Sequence, residues 1–135
     1  MTKGRLGYAG GRSGSKPSEV EKLSIASACE KFIEEVLQPQ FLPKIRPTTF
    51  NYPIAIYGKW FGNKYRFITR FRSGSPESID TEFEAPFTRL EYVGRDRFNL
   101  SYLRHTGQWF CLFRSVSLAE ALDTIEGMGH FHPPV

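Results

Sequence analysis

The chain has 135 residues, of which 40% are hydrophobic and 15% aromatic, so it fits one domain with its own core and is not a wholly disordered protein. No apolar run approaches the roughly 18 residues that a membrane span needs, and no apolar segment follows the first basic residues, so neither a membrane partner nor a secretory signal is predicted. The formal net charge of +4 lies wholly before Ser18, which excludes a generally basic domain.

Residues 1–17 differ in composition from the rest of the chain. They contain five glycines, few apolar residues and a closing proline, and such a segment cannot form a packed element. We therefore predict a disordered basic tail over 1–17 and a single domain over 18–135. The charges of the tail are Lys3, Arg5, Arg12 and Lys16. They suit contact with nucleic acid or another anionic partner, and the alternative is a leader that only adds solubility.

The first helix is predicted over 19–37. Ser18 and Glu21 have the spacing of a capping box, in which each side chain accepts a hydrogen bond from the backbone N–H of the other residue. Apolar residues then recur at helical spacing as far as Leu37. Pro39 and Pro43 are expected to end the helix, because proline lacks an N–H and restricts the residue before it.

From residue 50 onward the apolar pattern alternates, which indicates strands. Strands are predicted over 51–57, 64–72, 87–93, 97–103 and 108–113, and a second capping box at Ser117 and Glu120 starts a second helix. Because the connections are short, the strands should form an antiparallel meander. The fold class is therefore α+β, with both helices packed on one face of the sheet. The two cysteines, Cys29 and Cys111, are interpreted as buried, reduced thiols of a cytoplasmic protein.

The C-terminal part of the chain carries short motifs in a fixed order. A strand with Phe87-Thr88-Arg89-Leu90-Glu91-Tyr92-Val93 is followed by Leu100-Ser101-Tyr102-Leu103-Arg104, a Gly107-Gln108-Trp109 turn, a Leu-rich helix from Ser117 and an aromatic C-terminus. Over about residues 85–135 this order resembles a family of small bacterial proteins catalogued only as a domain of unknown function. The resemblance supports the fold and implies no activity.

The best candidate for a binding surface is the strand over 64–72. Lys64, Arg66, Arg70 and Arg72 lie on one of its faces, at steps of about 6.6 Å, and such a row could neutralise successive phosphates. Glu82 and Glu84 also alternate along the chain, so the alternative is a cross-strand ladder of ion pairs.

Other candidate sites are weaker. Arg104 and His105 lie at one hairpin turn, and they could stand at the mouth of a pocket lined by Tyr52, Tyr65, Tyr92 and Tyr102. The alternative is an ordinary turn histidine, with Trp109 packed in the core. His130 and His132 have a spacing that suits chelation, but no third ligand stands at metal-ligand spacing, so no metal and no cofactor are predicted.

The leading interpretation is a binding module without catalytic residues. Its partner would be nucleic acid or an acidic protein surface, contacted through the basic tail and the strand over 64–72. Two alternatives stay open from the sequence: a small enzyme or ligand-binding protein that uses the tyrosine-lined pocket, and a protein-interaction subunit that uses an exposed edge strand.

Overall fold

The computed structural model describes residues 16–42, 47–48, 50–75, 77 and 81–134. In chain order its elements are α1 (Glu19–Phe32), a π-helical turn (Ile33–Leu37), α2 (Gln38–Phe41), β1 (Tyr52–Phe61), β2 (Lys64–Arg72), β3 (Glu82–Gly94), β4 (Arg97–Leu103), β5 (Trp109–Val116), α3 (Leu118–Gly127) and a 3₁₀ turn (Gly129–Phe131). The predicted disordered tail, apart from its last two residues, lies outside the described residues.

The five strands form one open sheet in the order β1-β2-β3-β4-β5, and every neighbouring pair is antiparallel. The predicted α+β meander is therefore confirmed. Three strands are longer than the sequence predicted: β1, β3 and β5, the last of which runs to Val116. β1 runs to Phe61, where a two-residue turn begins at Gly62, whose φ of +62° favours glycine. β3 begins at Glu82, because 82–85 pair with the end of β2.

The helices start as predicted, but the first one does not end as predicted. Both capping boxes form, at Ser18 with Glu21 and at Ser117 with Glu120. Pro39 does not stop the first helix, since the chain stays helical as far as Phe41. The π-helical turn interrupts the regular hydrogen-bond ladder, so that Pro39 stands in the first turn of α2, where its missing N–H needs no partner. Among the described residues no helix is long and apolar enough to cross a membrane.

The hydrophobic core lies between the helices and one face of the sheet. α1 contributes Ile25 and Cys29, the π-helical turn adds Ile33 and Leu37, and α3 adds Ala121 and Ile125. The sheet contributes eight buried side chains among the described residues: Ile56, Tyr65, Phe67, Phe87, Leu90, Tyr92, Phe98 and Leu100. Phe131 of the 3₁₀ turn closes one side of the core, and its carbonyl accepts a hydrogen bond from the buried hydroxyl of Thr88.

The two cysteines have different surroundings. Cys29 is fully buried in the core, and its burial raises the pKa of the thiol to about 12. Cys111 is only partly buried, on the sheet face away from α1, so its predicted burial is wrong. The alternation of β5 turns its side chain away from the core.

The hydroxyl of Tyr65 gives a test of core packing. Tyr65 is 1% exposed, and its hydroxyl has no hydrogen-bond partner within the part of the chain that the structure describes. We expect Tyr65→Phe to leave the free energy of unfolding unchanged at pH 7, or to raise it by up to about 1 kcal/mol, because an unsatisfied buried polar group is removed. Urea denaturation measures this change, and a loss of 2 kcal/mol would show that the hydroxyl has a partner in solution.

The same variant should also change the response to alkaline pH. Burial raises the pKa of Tyr65 above its ordinary value of 10.0, so the unfolded chain ionises there before the folded one does. The stability linked to Tyr65 is therefore fully present below pH 10 and is lost as the pH rises further. Urea denaturation between pH 8 and pH 11 should show a steeper loss for the wild type than for Tyr65→Phe, because other ionisations are common to both proteins.

Candidate functional site

The sheet has one face that the helices leave uncovered, called here the outer face. It is the surface of β1 to β5 opposite α1. The predicted basic row lies there: Lys64, Arg66, Arg70 and Arg72 alternate with Tyr65 and Phe67, which point into the core. Cross-strand pairing brings further charged and aromatic side chains to this face. They divide into two groups of different character.

The first group is an ion-pair network between the end of β2 and the start of β3. Two nitrogens of the Arg72 guanidinium donate to Glu82 Oε2, at 2.7 and 3.2 Å. Arg70 lies 3.7 Å from Glu84 and 4.0 Å from Glu82, and Tyr57 donates its hydroxyl proton to Glu84. These contacts form the cross-strand ladder that the alternation of glutamates allows. The charges of Arg70 and Arg72 are thus offset inside the protein.

The second group contains Arg66 and Arg89, which are direct cross-strand partners on β2 and β3. Both guanidinium groups lie against the ring of Trp109, with their carbon atoms 5.6 and 4.6 Å from its centre. The Arg66 guanidinium also lies 4.4 Å from the ring centre of Phe61, so it is held between two aromatic rings. Such cation–π contacts fix an arginine side chain while leaving the edges of its guanidinium free to donate hydrogen bonds. Arg66, Arg89, Trp109 and Phe61 are called the arginine–aromatic cluster below.

Arg66 and Arg89 differ from the paired arginines, because neither has an acidic partner in the part of the chain that the structure describes. Within the described ranges, no carboxylate oxygen lies within 4.0 Å of either guanidinium, and the buried Nε of each has no hydrogen-bond partner. Burial lowers the pKa of Arg89, with a further contribution from Arg66 in the same direction, whereas Glu91 on the same strand raises it. Two cations are thus held side by side, and no carboxylate of the described residues contacts them.

The other predicted anion-binding residues lie apart from this cluster. Lys64 is on the outer face opposite Glu91, and its Nζ donates to Asn63 Oδ1 at 3.2 Å. Lys16 is exposed just before α1. Lys3, Arg5 and Arg12 lie outside the described residues.

The predicted pocket residues do not come together at a cavity that the structure describes. Arg104 and His105 are exposed in the turn between β4 and β5, where the Arg104 guanidinium lies 5.5 Å from the ring centre of Phe110. Tyr65 is packed in the core, and Tyr92, which is 5% exposed, lines a cleft beside α1 that none of the other predicted pocket residues reaches. Among the described residues, one cleft of about 170 Å³ lies between the π-helical turn and β1, and the cleft at Tyr92, of about 220 Å³, lies between α1 and the β3–β4 turn.

The two C-terminal histidines make contacts with the protein itself. His132 Nε2 lies 2.9 Å from the carbonyl oxygen of Glu126, and its ring packs on Phe41. His130 packs on Tyr102. In the part of the chain that the structure describes, no group of three metal-ligating side chains is found.

Sequence reasoning missed Arg89 and placed Trp109 wrongly. The expectation that Trp109 packs in the core is wrong, since its ring lies on the outer face against the two arginines. The sequence does indicate the face on which Arg89 lies, because it stands between Thr88 and Leu90, whose side chains face the core. That pattern does not identify Arg66 as the residue opposite Arg89 on the adjacent strand, because cross-strand partners depend on strand register.

The chain matches the family model described as Domain of unknown function (DUF3024) over residues 17–133, so it belongs to that family. The match covers far more of the chain than the C-terminal motifs that carried the resemblance. No curated protein and no solved structure matches the chain.

Proposed function

We propose that this protein is a binding module that contacts single-stranded nucleic acid through the outer face of its sheet. The observation that carries the proposal is the pairing of Arg66 with Arg89 against Trp109, with no carboxylate in contact among the described residues. A phosphate could provide the acceptors that the two guanidinium groups lack.

The neighbouring rings favour a nucleic acid over a simple anion. Phe61 is 39% exposed beside Arg66, and an exposed ring next to a cation is the arrangement on which single-stranded bases stack. An uncovered antiparallel sheet also suits an extended, single-stranded partner better than a rigid duplex. The basic tail would add charge to the same contact. We place the module in the cytoplasm of a bacterium, in keeping with its free thiols and with the resemblance noted above.

Fluorescence anisotropy with labelled single strands of about 12 nucleotides tests the proposal. The full-length protein should bind such RNA or DNA, and the affinity should fall steeply between about 50 and 200 mM salt, because phosphate contacts release counterions. The double variant Arg66→Gln/Arg89→Gln should bind at least about tenfold more weakly and should lower the slope of log K against log salt by about 1.4, since each contact to a single strand contributes about 0.7.

The paired arginines provide a matched control with the same change in formal charge. Arg70→Gln/Arg72→Gln removes two charges from the same face, but these charges are already offset by Glu82 and Glu84. Its affinity should stay within about threefold of the wild type. Equal losses in both double variants would mean that only net charge matters, and no binding by the wild type at 50 mM salt would overturn the proposal.

Two further arms separate the remaining contributions. Substituting Lys3, Arg5 and Arg12 by glutamine in the full-length chain measures the share of the tail. Unlabelled poly-glutamate as competitor tests an acidic protein surface. If poly-glutamate displaced the oligonucleotide at equal charge concentration, the site would prefer carboxylates and the nucleic-acid form of the proposal would fail.

A further inference from the structure

The arginine–aromatic cluster is too compact for a series of independent phosphate contacts. Arg66 and Arg89 are direct partners on adjacent strands, whose Cα atoms are about 4.5–5.5 Å apart in an antiparallel pair. Both guanidinium carbons lie within 5.6 Å of one ring centre. Two positive charges are thus gathered at one point of the outer face, whereas a row along β2 would spread them.

Two adjacent cations favour a dianion over a monoanion. A phosphodiester inside a nucleic-acid strand carries one negative charge. A phosphomonoester has a second ionisation with a pKa of about 6, as in phosphorylated side chains, so it carries about 1.5 to 2 negative charges at pH 7. The Nε of each arginine is buried in the described structure, so a phosphate would be reached through the two Nη groups, which together can bind two oxygens of the same phosphate. The three terminal oxygens of a phosphomonoester suit two such groups.

We propose that the arginine–aromatic cluster binds the terminal phosphate of a single-stranded nucleic acid, with the base next to that phosphate stacked on Phe61. This inference rests on the proposed function and names the part of the strand that the site recognises. Phe61 is suited to stack on the base because its ring is 39% exposed and contacts Arg66. It lies on β1, so Arg66 on β2 stands between Phe61 and Trp109 on β5. The 5′ and 3′ phosphates have the same chemistry, so the experiment distinguishes them.

Three versions of one labelled strand of about 12 nucleotides, with the dye placed internally, provide the test: a 5′-phosphate, a 3′-phosphate, and both ends hydroxyl, each measured with and without added inorganic phosphate. Anisotropy with the full-length protein should show about tenfold tighter binding of one phosphorylated strand than of the hydroxyl strand. Free phosphate at millimolar concentration should reduce that preference.

The preference should also depend on pH in a way that belongs to the ligand. Because the second ionisation of a phosphomonoester has a pKa of about 6, the preference should shrink several-fold between pH 7.5 and pH 5.5. Among the described residues, the charged or titratable groups next to the cluster include Lys59, which pairs with Arg66 across β1 and β2, together with Lys64, Glu91 and Cys111. The hydroxyl strand, measured at each pH, reports their contribution and corrects for it.

Arg66→Lys separates phosphate geometry from charge. It keeps the positive charge but loses the planar fork, so the preference for the phosphorylated strand should fall while the hydroxyl strand still binds. Lys64→Gln, on the same face of the same strand, is the control and should keep the preference. Equal binding of phosphorylated and hydroxyl strands by the wild type would overturn this inference and leave the proposed function standing. Binding of none of the strands would overturn both.

Discussion

Replacement of Phe67 by alanine should lower the free energy of unfolding by about 3–5 kcal/mol, the range for removal of a fully buried aromatic ring. Phe67 is completely buried at the centre of the core. Its ring contacts Phe32 of α1 edge-on, and it also contacts Tyr65 and Phe87 on the sheet. The variant therefore loses both the contact between α1 and the sheet and the contacts within the sheet. Urea denaturation followed by circular dichroism measures the change.

Phe71 provides the control for this prediction. It lies on the same face of β2, two residues after Thr69. However, it lies outside the core cluster and stacks on Phe83, whose side chain is 43% exposed. Phe71→Ala should cost about 1 kcal/mol, because the removed ring is only partly buried. Equal losses for Phe67→Ala and Phe71→Ala would mean that α1 does not pack on the sheet as described.

Much of this fold follows from local pattern. Alternation along 64–72 correctly placed Arg66, Arg70 and Arg72 on the face opposite Tyr65 and Phe67, since the period of a strand does not depend on its neighbours. Both helix starts were predicted from capping boxes, in which all the interacting groups lie within four residues. The end of the first helix was not predicted, because the π-helical turn that accommodates Pro39 leaves no mark in the sequence.

The candidate site was predicted only in part, because it depends on contacts between strands. Arg66 was placed on the correct face, but its partner Arg89 follows from the register of β2 and β3, which has a bulge after Phe67. Trp109 was misplaced for a similar reason. Strict alternation puts Trp109, Cys111 and Phe113 on one face, but a register shift in the pairing of β4 with β5 turns Phe113 towards Phe131 in the core.

Removal of the Trp109 ring should weaken nucleic-acid binding about tenfold without a change of charge. In the proposed site Trp109 binds nothing itself, and it holds the two guanidinium groups side by side. Without the ring, Arg66 and Arg89 would have to be ordered when the ligand binds, at an entropic cost of about 0.5–1.5 kcal/mol for each side chain. Anisotropy with a single strand, as described above, measures the loss for Trp109→Ala.

The salt dependence distinguishes this role from that of a charged contact. Because Trp109→Ala keeps both arginines, the slope of log K against log salt should stay at the wild-type value, whereas Arg66→Gln/Arg89→Gln lowers it by about 1.4. Phe110→Ala is the control, since Phe110 is the next residue on β5, is 41% exposed and packs on Tyr102, away from the two arginines. Its affinity should equal that of the wild type. Full affinity in Trp109→Ala would show that the arginines are ordered without the ring, and the cluster would then be two separate cations instead of one prearranged site.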